Sequence, residues 1–222
     1  MKIAPLPVNE QERLASLRKY DILDTEPEAA FTSMVHLASY ICQTPIAAIS
    51  LVDEHRQWFK ALAGIDAKET PRDIAFCAHT ILQDGIMIVP DAREDERFFD
   101  NPLVASGPNL RYYAGVSLVT LDGYRLGTLC VLDSVPRELK SEQLEALKVL
   151  TGNVMAHLEL RLSHKNIRHY VDDLQLAATI FESSSESWLS PMPRTASSRS
   201  TRLLLPSPVT PSTRRSGGIP AC

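Results

Sequence analysis

The chain has 222 residues, 44% hydrophobic and 23% charged, with a formal net charge of −4. That balance describes one compact domain able to bury a good core; no run of about 18 apolar residues could span a bilayer, and the opening MKIAPLPVNEQERL lacks a secretion signal's apolar stretch. Membrane insertion is thereby excluded and a cytoplasmic location expected, while nucleic-acid binding is disfavoured because five arginines after Glu186 leave −9 on residues 1–187 once removed from the total of −4.

A first helix is expected from Asn9 to Ile22, with Leu14, Leu17 and Tyr20 among charges, stopping near Asp21. Thr25 followed by Glu28 reads as a capping box for a second helix reaching about Cys42, whose apolar stripe is Phe31, Met34, Val35, Leu37, Ala38 and Ile41. Ile46 to Val52 is apolar on both alternating faces and predicts a central strand. A charged turn from Asp53 to Arg56 joins it to Gln57–Leu62, where Gln57 and Lys60 beside Trp58 and Phe59 suit a strand leading toward an edge.

From Glu69 to Gly85, Ile74, Phe76, Cys77 and Ile81 predict a short helix on the sheet, with a turn at Pro71. Ile86 to Ala92 is a short strand cut off by Pro90, and the acidic loop to Pro108, carrying Phe98 and Phe99, is long enough to be a lid. Strands at Arg111–Thr120 and Arg125–Asp133 are joined by Asp122-Gly123, a hairpin signal. Ser141 then opens a long helix with Leu144, Leu147, Leu150 and Val154 on one side. Ile167, Tyr170, Leu174, Ala177 and Phe181 continue with steps of 3, 4, 3 and 4, a two-helix seam interrupted around Arg161 to Lys165, so a dimerising helical linker is expected.

The cysteines at 42, 77, 130 and 222 show no CxxC spacing, and three sit in apolar surroundings, favouring reduced buried thiols over disulfides or a zinc site. Asp91, Glu94, Asp95, Glu96 and Asp100 lack the alternation and glycine of a calcium loop and read as a solvated lid, so no metal site is assigned. Cys77 and His79, two residues apart, are candidates for thiol chemistry, with a buried apolar cysteine as the alternative. His157 reads as a polar position on the linker helix.

Taken in order, ERLASLRKYDILDTEPE, ISLVDEHRQWFKALAGI, ETPRDIAFCAH, VPDAREDERFFDNPLV, RYYAGVSLVT and RLGTLCVLD resemble the GAF domain of bacterial signalling proteins over roughly residues 8–160. The resemblance implies an α+β fold: an antiparallel sheet of about six strands, helices on both faces, a pocket roofed by the short helix and long loop, and terminal helices that pair in homodimers. Residues 1–7 would be a flexible N-terminus and 161–187 a helical linker ending in DLQLAATIFESSSES, which resembles the start of a PAS domain. The likeness stops at Trp188. Reading each codon one base early permits MAVTDAENRIVAVNPAFT from Ser187 and TGYT from Ser207 to Pro211, so 188–222 is expected to be the product of a frameshift or sequencing error; a disordered Ser/Pro/Arg tail is the alternative.

The function implied is sensory: a small ligand and a dimer interface in the N-terminal part of a diguanylate cyclase or sensor histidine kinase, with no catalytic output in this chain. The candidate ligand-binding residues are Trp58, Arg72, Cys77, His79, Phe98, Phe99, Arg111 and Tyr113, with Arg72 and Arg111 as cations for an anionic ligand; all could equally serve the core or pair with the acidic loop. No cofactor is assigned. Phytochrome-type attachment generally uses an adjacent Cys-His pair, which is lacking, and the cyclic-nucleotide signature of some GAF domains is not evident. The rival reading is a thiol enzyme of similar fold, such as a free methionine sulfoxide reductase, for which Cys42 and Cys130 look poorly placed to cooperate with Cys77.

Overall fold

Strand alternation organises the whole molecule, because each inner strand sends one set of side chains to each side of a single sheet. A computed structural model describes the backbone of residues 1–188 and the side chains of residues 1–180. Contacts divide the chain into a unit from Met1 to Gln175 and another from Leu176, whose described part, to Trp188, is helical. Of the expected frameshifted tail, 188–222, the residues from 189 on lie outside the described residues.

Six strands form one sheet: β1 (Ile46–Val52), β2 (Arg56–Ala63), β3 (Glu69–Pro71), β4 (Ile86–Val89), β5 (Tyr112–Val119) and β6 (Arg125–Asp133). Their spatial order is β3-β2-β1-β6-β5-β4, and every paired neighbour is antiparallel. β1 is central and buried at every position, as its two apolar faces require. β2 is not the edge. Three-residue β3 covers it, and Pro71 at the end of that outer strand costs no interior ladder bond. Gly123, at φ 84, closes the β5–β6 hairpin with its N–H donating to the Thr120 carbonyl.

Helices α1 (Glu10–Lys19), α2 (Ala29–Cys42) and the first turns of α5 (Ser141–Trp188) lie with one sheet face. Phe31, Val35, Ala38, Leu147 and Val154 meet Ala47, Ile49, Leu51, Tyr112 and Leu129 there. On the opposite face, five-residue α3 (Phe76–Thr80), the preceding 3-10 turn at Arg72–Ile74, and the connection containing α4 (Pro102–Ala105) cover Ile46, Ala48, Tyr113 and Cys130. Asn101 caps α4 by accepting the Leu103 N–H at 2.9 Å.

Two expectations are corrected by long-range pairing. The capping box does not form: Thr25 Oγ1 donates to the Ile22 carbonyl and Glu28 precedes α2 without a side-chain cap. Glu28 instead accepts Lys60 Nζ at 2.7 Å and Arg161 Nη1 at 2.6 Å. Lys60 is consequently not an edge-marking surface lysine. Its side chain is 1% exposed, and the ammonium also donates to Thr25 Oγ1 and the Glu26 carbonyl, meeting the rule that buried charge must be paired and hydrogen-bonded. Further along α5, Ile167, Tyr170 and Leu174 remain exposed.

Candidate functional site

Between the β1–β2–β6 part of the sheet and its α3 roof lies a cavity of about 270 Å³, near the small end for organic-ligand sites. Apolar side chains dominate its wall: Ile46 and Ala48 from β1, Phe59 and Leu62 from β2, Phe76 from α3, and Leu103 and Leu110 from the long connection. Its rim includes exposed Ile65 and Asp66. Among the described residues, no lysine, arginine or histidine lines it. Such a wall favours a neutral or weakly cationic guest and disfavours a phosphate.

Two polar groups in this wall lack partners. Gln57 Oε1 and Thr70 Oγ1 are buried without a hydrogen bond. Gln57 and Thr70 are neighbours across the β2–β3 ladder, so both groups stand at one end of the cavity. A buried orphan acceptor costs about 1–3 kcal/mol, which a ligand donor at that position would recover.

At the Cys77 side, polarity is organised differently. Thr128 Oγ1 donates to Cys77 Sγ at 3.0 Å and Tyr113 Oη donates to it at 3.5 Å. Each donor has a hydroxyl behind it: Ser50 Oγ lies 3.1 Å from Thr128 Oγ1, and Thr80 Oγ1 lies 2.7 Å from Tyr113 Oη. A chain of hydroxyls therefore converges on one sulfur, each polarising the next. Cys130 Sγ lies 3.9 Å from the same atom. Burial acts to raise the Cys77 thiol, but hydrogen bonds from Cys130, Ser50, Thr128 and Tyr113 together bring it to about 6. Cys130 is pushed well above its ordinary value, first by its hydrogen bond to Cys77 and then by burial.

Of the residues singled out in the sequence, Cys77 and Tyr113 meet at this cavity. The others are placed elsewhere. Trp58 belongs to the opposite sheet face, because β2 alternation sends Phe59 to the cavity and Trp58 to the α2 side. Arg72 is consumed by Glu10 Oε1 at 2.5 Å and by the carbonyls of Asp53 and Glu54, beside a separate polar cleft. Arg111 donates to the carbonyls of Val104 and Leu110, bracing the long connection. His79 Nε2 pairs with the Lys2 carbonyl at 3.0 Å, and burial lowers its basicity. Phe98 stacks on Phe76 with ring centroids 3.9 Å apart, behind the cavity wall, whereas Phe99 is exposed.

Sequence reading missed Gln57, Thr70 and Cys130 as site residues. Cys130 was set aside because an all-apolar strand does not announce which face a cysteine takes. Pairing decides it: Cys130 stands opposite Ala48, and both belong to the α3 side of the sheet with Cys77.

A family model for the GAF domain matches residues 26–158. The chain belongs to the GAF domain family. A cyclic di-GMP phosphodiesterase of Pseudomonas aeruginosa is 38% identical over 174 residues, 78% of this chain and 29% of its own length. The chain thus spans under a third of that relative. Among solved structures, the bacteriophytochrome RpBphP3 from R. palustris is 13% identical with a TM-score of 0.53, covering 78% of this chain and 41% of that one. The GAF domain of an Acinetobacter phosphoenolpyruvate-protein phosphotransferase is 18% identical with a TM-score of 0.49, covering 72% of this chain and 98% of that one. The bacteriophytochrome likeness speaks to the fold alone and not to a ligand. No helix among the described residues is long and apolar enough to cross a membrane.

Proposed function

We propose that this GAF domain is the sensory and dimerising part of a cytoplasmic cyclic-di-GMP signalling protein, with catalytic output residing outside this chain. The observation that carries the reading is the pair of unpartnered buried groups, Gln57 Oε1 and Thr70 Oγ1, in a mainly apolar cavity. They fit a small, mainly apolar guest with a donor-bearing edge. With no cation lining it among the described residues, the cavity disfavours an anionic guest, and Arg72 and Arg111 are engaged instead by Glu10 and by backbone carbonyls. Similarity to the phosphodiesterase supports the cyclic-di-GMP setting.

Signal transfer would follow from differential affinity: a guest that prefers one packing of α3 shifts the population toward it. The exposed seam of Ile167, Tyr170 and Leu174 at steps of 3 and 4 supports pairing with a second copy. Asp173–Ser187 is read as the entry to a PAS domain, which sequencing of the DNA beyond codon 187 would test.

Native mass spectrometry of the chain purified without refolding tests the ligand. The expected result is a retained small molecule that is lost in the double variant Gln57→Leu/Thr70→Val while the dimer persists. An empty, dry cavity in a crystal structure of protein that retains nothing would refute it. For the dimer, Tyr170→Glu/Leu174→Glu should sediment as a monomer; an unchanged wild-type monomer would overturn that part.

A further inference from the structure

Two buried sulfurs facing one cavity call for an explanation that ligand sensing does not provide. Cys77 and Cys130 are 2% and 1% exposed, sit on different elements, and both line the cavity wall. Neither is a plain apolar filler. The Ser50–Thr128 and Thr80–Tyr113 hydroxyl pairs deliver two donors to Cys77 Sγ, one from β6 and one from β5, an arrangement that stabilises a thiolate. Cys42, the third described cysteine, supplies the contrast: it is buried on the other sheet face, and burial raises its thiol to about 11.

We propose that Cys77 and Cys130 form a two-electron redox pair, oxidised to a disulfide by a small uncharged peroxide entering the cavity. The Cys77 thiolate attacks one peroxide oxygen; the O–O bond breaks, Cys77 becomes a sulfenic acid, and the other oxygen leaves as water, or as an alcohol from an organic peroxide, after taking up a proton. Cys130 then loses its proton and attacks the sulfenic sulfur. The S–S bond forms and the sulfenic hydroxyl leaves with that proton as a second water. Both sulfurs are oxidised and the peroxide is reduced; an external dithiol reverses the step by exchange.

Geometry also fixes the consequence. A disulfide needs its sulfurs at about 2.05 Å, so the present 3.9 Å must close by roughly 2 Å. Cys130 is held by β1 on one side and β5 on the other, whereas α3 is one short helix between a 3-10 turn and a loop. Whatever part of that closing is not supplied by side-chain rotation therefore belongs to α3, which oxidation draws toward the sheet. This inference shares the cavity with the ligand reading but not its guest, and either can fail without the other.

The test uses the full chain carrying Cys222→Ser, exposed to hydrogen peroxide under native conditions and analysed by peptide mass mapping. Two hydroxyl donors lower the Cys77 thiol whereas burial raises that of Cys42, so Cys77 should oxidise roughly tenfold or more faster. The expected product is a Cys77–Cys130 linked peptide, lost on reduction with dithiothreitol, with Cys42 still alkylatable. In Cys130→Ser the sulfenic acid should persist on Cys77 and be trapped by dimedone. Oxidation of Cys77 and Cys42 at equal rates would overturn the proposal, as would a wild-type chain that stops at the Cys77 sulfenic acid with Cys130 reduced.

Discussion

Replacing Glu10 with glutamine should destabilise the fold by an amount that fades in acid. The Glu10 carboxylate accepts Arg13 Nε and Nη2, both at 2.7 Å, and Arg72 Nη1 at 2.5 Å. The two arginine side chains are only 1% and 7% exposed. Burial pushes the Glu10 carboxyl up, but the arginines overcome it and lower it from 4.5 to about 2. That difference sets a ceiling of about 3 kcal/mol, and partial water access at Glu10 reduces the expectation to about 2 kcal/mol. Because the folded value is depressed, this stability is present above pH 4.5 and is lost as pH falls toward 2. Urea unfolding followed by circular dichroism should show the Glu10→Gln midpoint about 0.7–1 M lower at pH 7. By pH 3 more than half of the gap should have closed. A gap under about 0.5 kcal/mol at pH 7, or one undiminished at pH 3, would refute the assignment of Glu10 as the shared counterion.

Lys60→Ala should cost about 3 kcal/mol in denaturant unfolding, and Lys60→Met about 1, since methionine keeps the packing and Glu28 retains Arg161. Gly127→Ala should cost more than about 3 kcal/mol, because a methyl there collides with the Ser50 backbone carbonyl; Gly152→Ala, with open space on α5, should stabilise thermal unfolding by about 0.5–1 kcal/mol. Tyr113→Phe removes one donor from Cys77 Sγ, so ultraviolet thiolate absorbance should show that thiol titrating at higher pH than in the wild type; an unchanged titration would refute the donor role.

Much of the architecture was legible because it is written locally. The double-faced apolar run of β1, the Asp122-Gly123 turn and the stripe of α5 each carry their own periodicity. The site was harder for a physical reason. Partners such as Arg72 with Glu10, or Cys77 with Cys130, are 62 and 53 residues apart, and no spacing rule links them. Trp58 and Phe59 illustrate a subtler gap: adjacent aromatic residues on a strand must point oppositely, but which one meets the ligand face depends on where α2 and α3 dock. Gln57 reads in the sequence only as a mark of a strand leading toward an edge, because its orphaned acceptor is visible only once the cavity closes over it.

The two tyrosines of β5 carry a lesson for engineering this molecule. Tyr112 belongs to the helix-side core and Tyr113 to the thiol network, with no residue between them. One extra amino acid between Tyr112 and Tyr113 would turn Tyr113 and every later residue of the strand to the other face, spoiling both halves at once. The same insertion between the exposed Gln83 and Gly85 would mainly lengthen a surface turn, a cost that grows slowly. Grafts and tags therefore belong in that turn, and never within the strand.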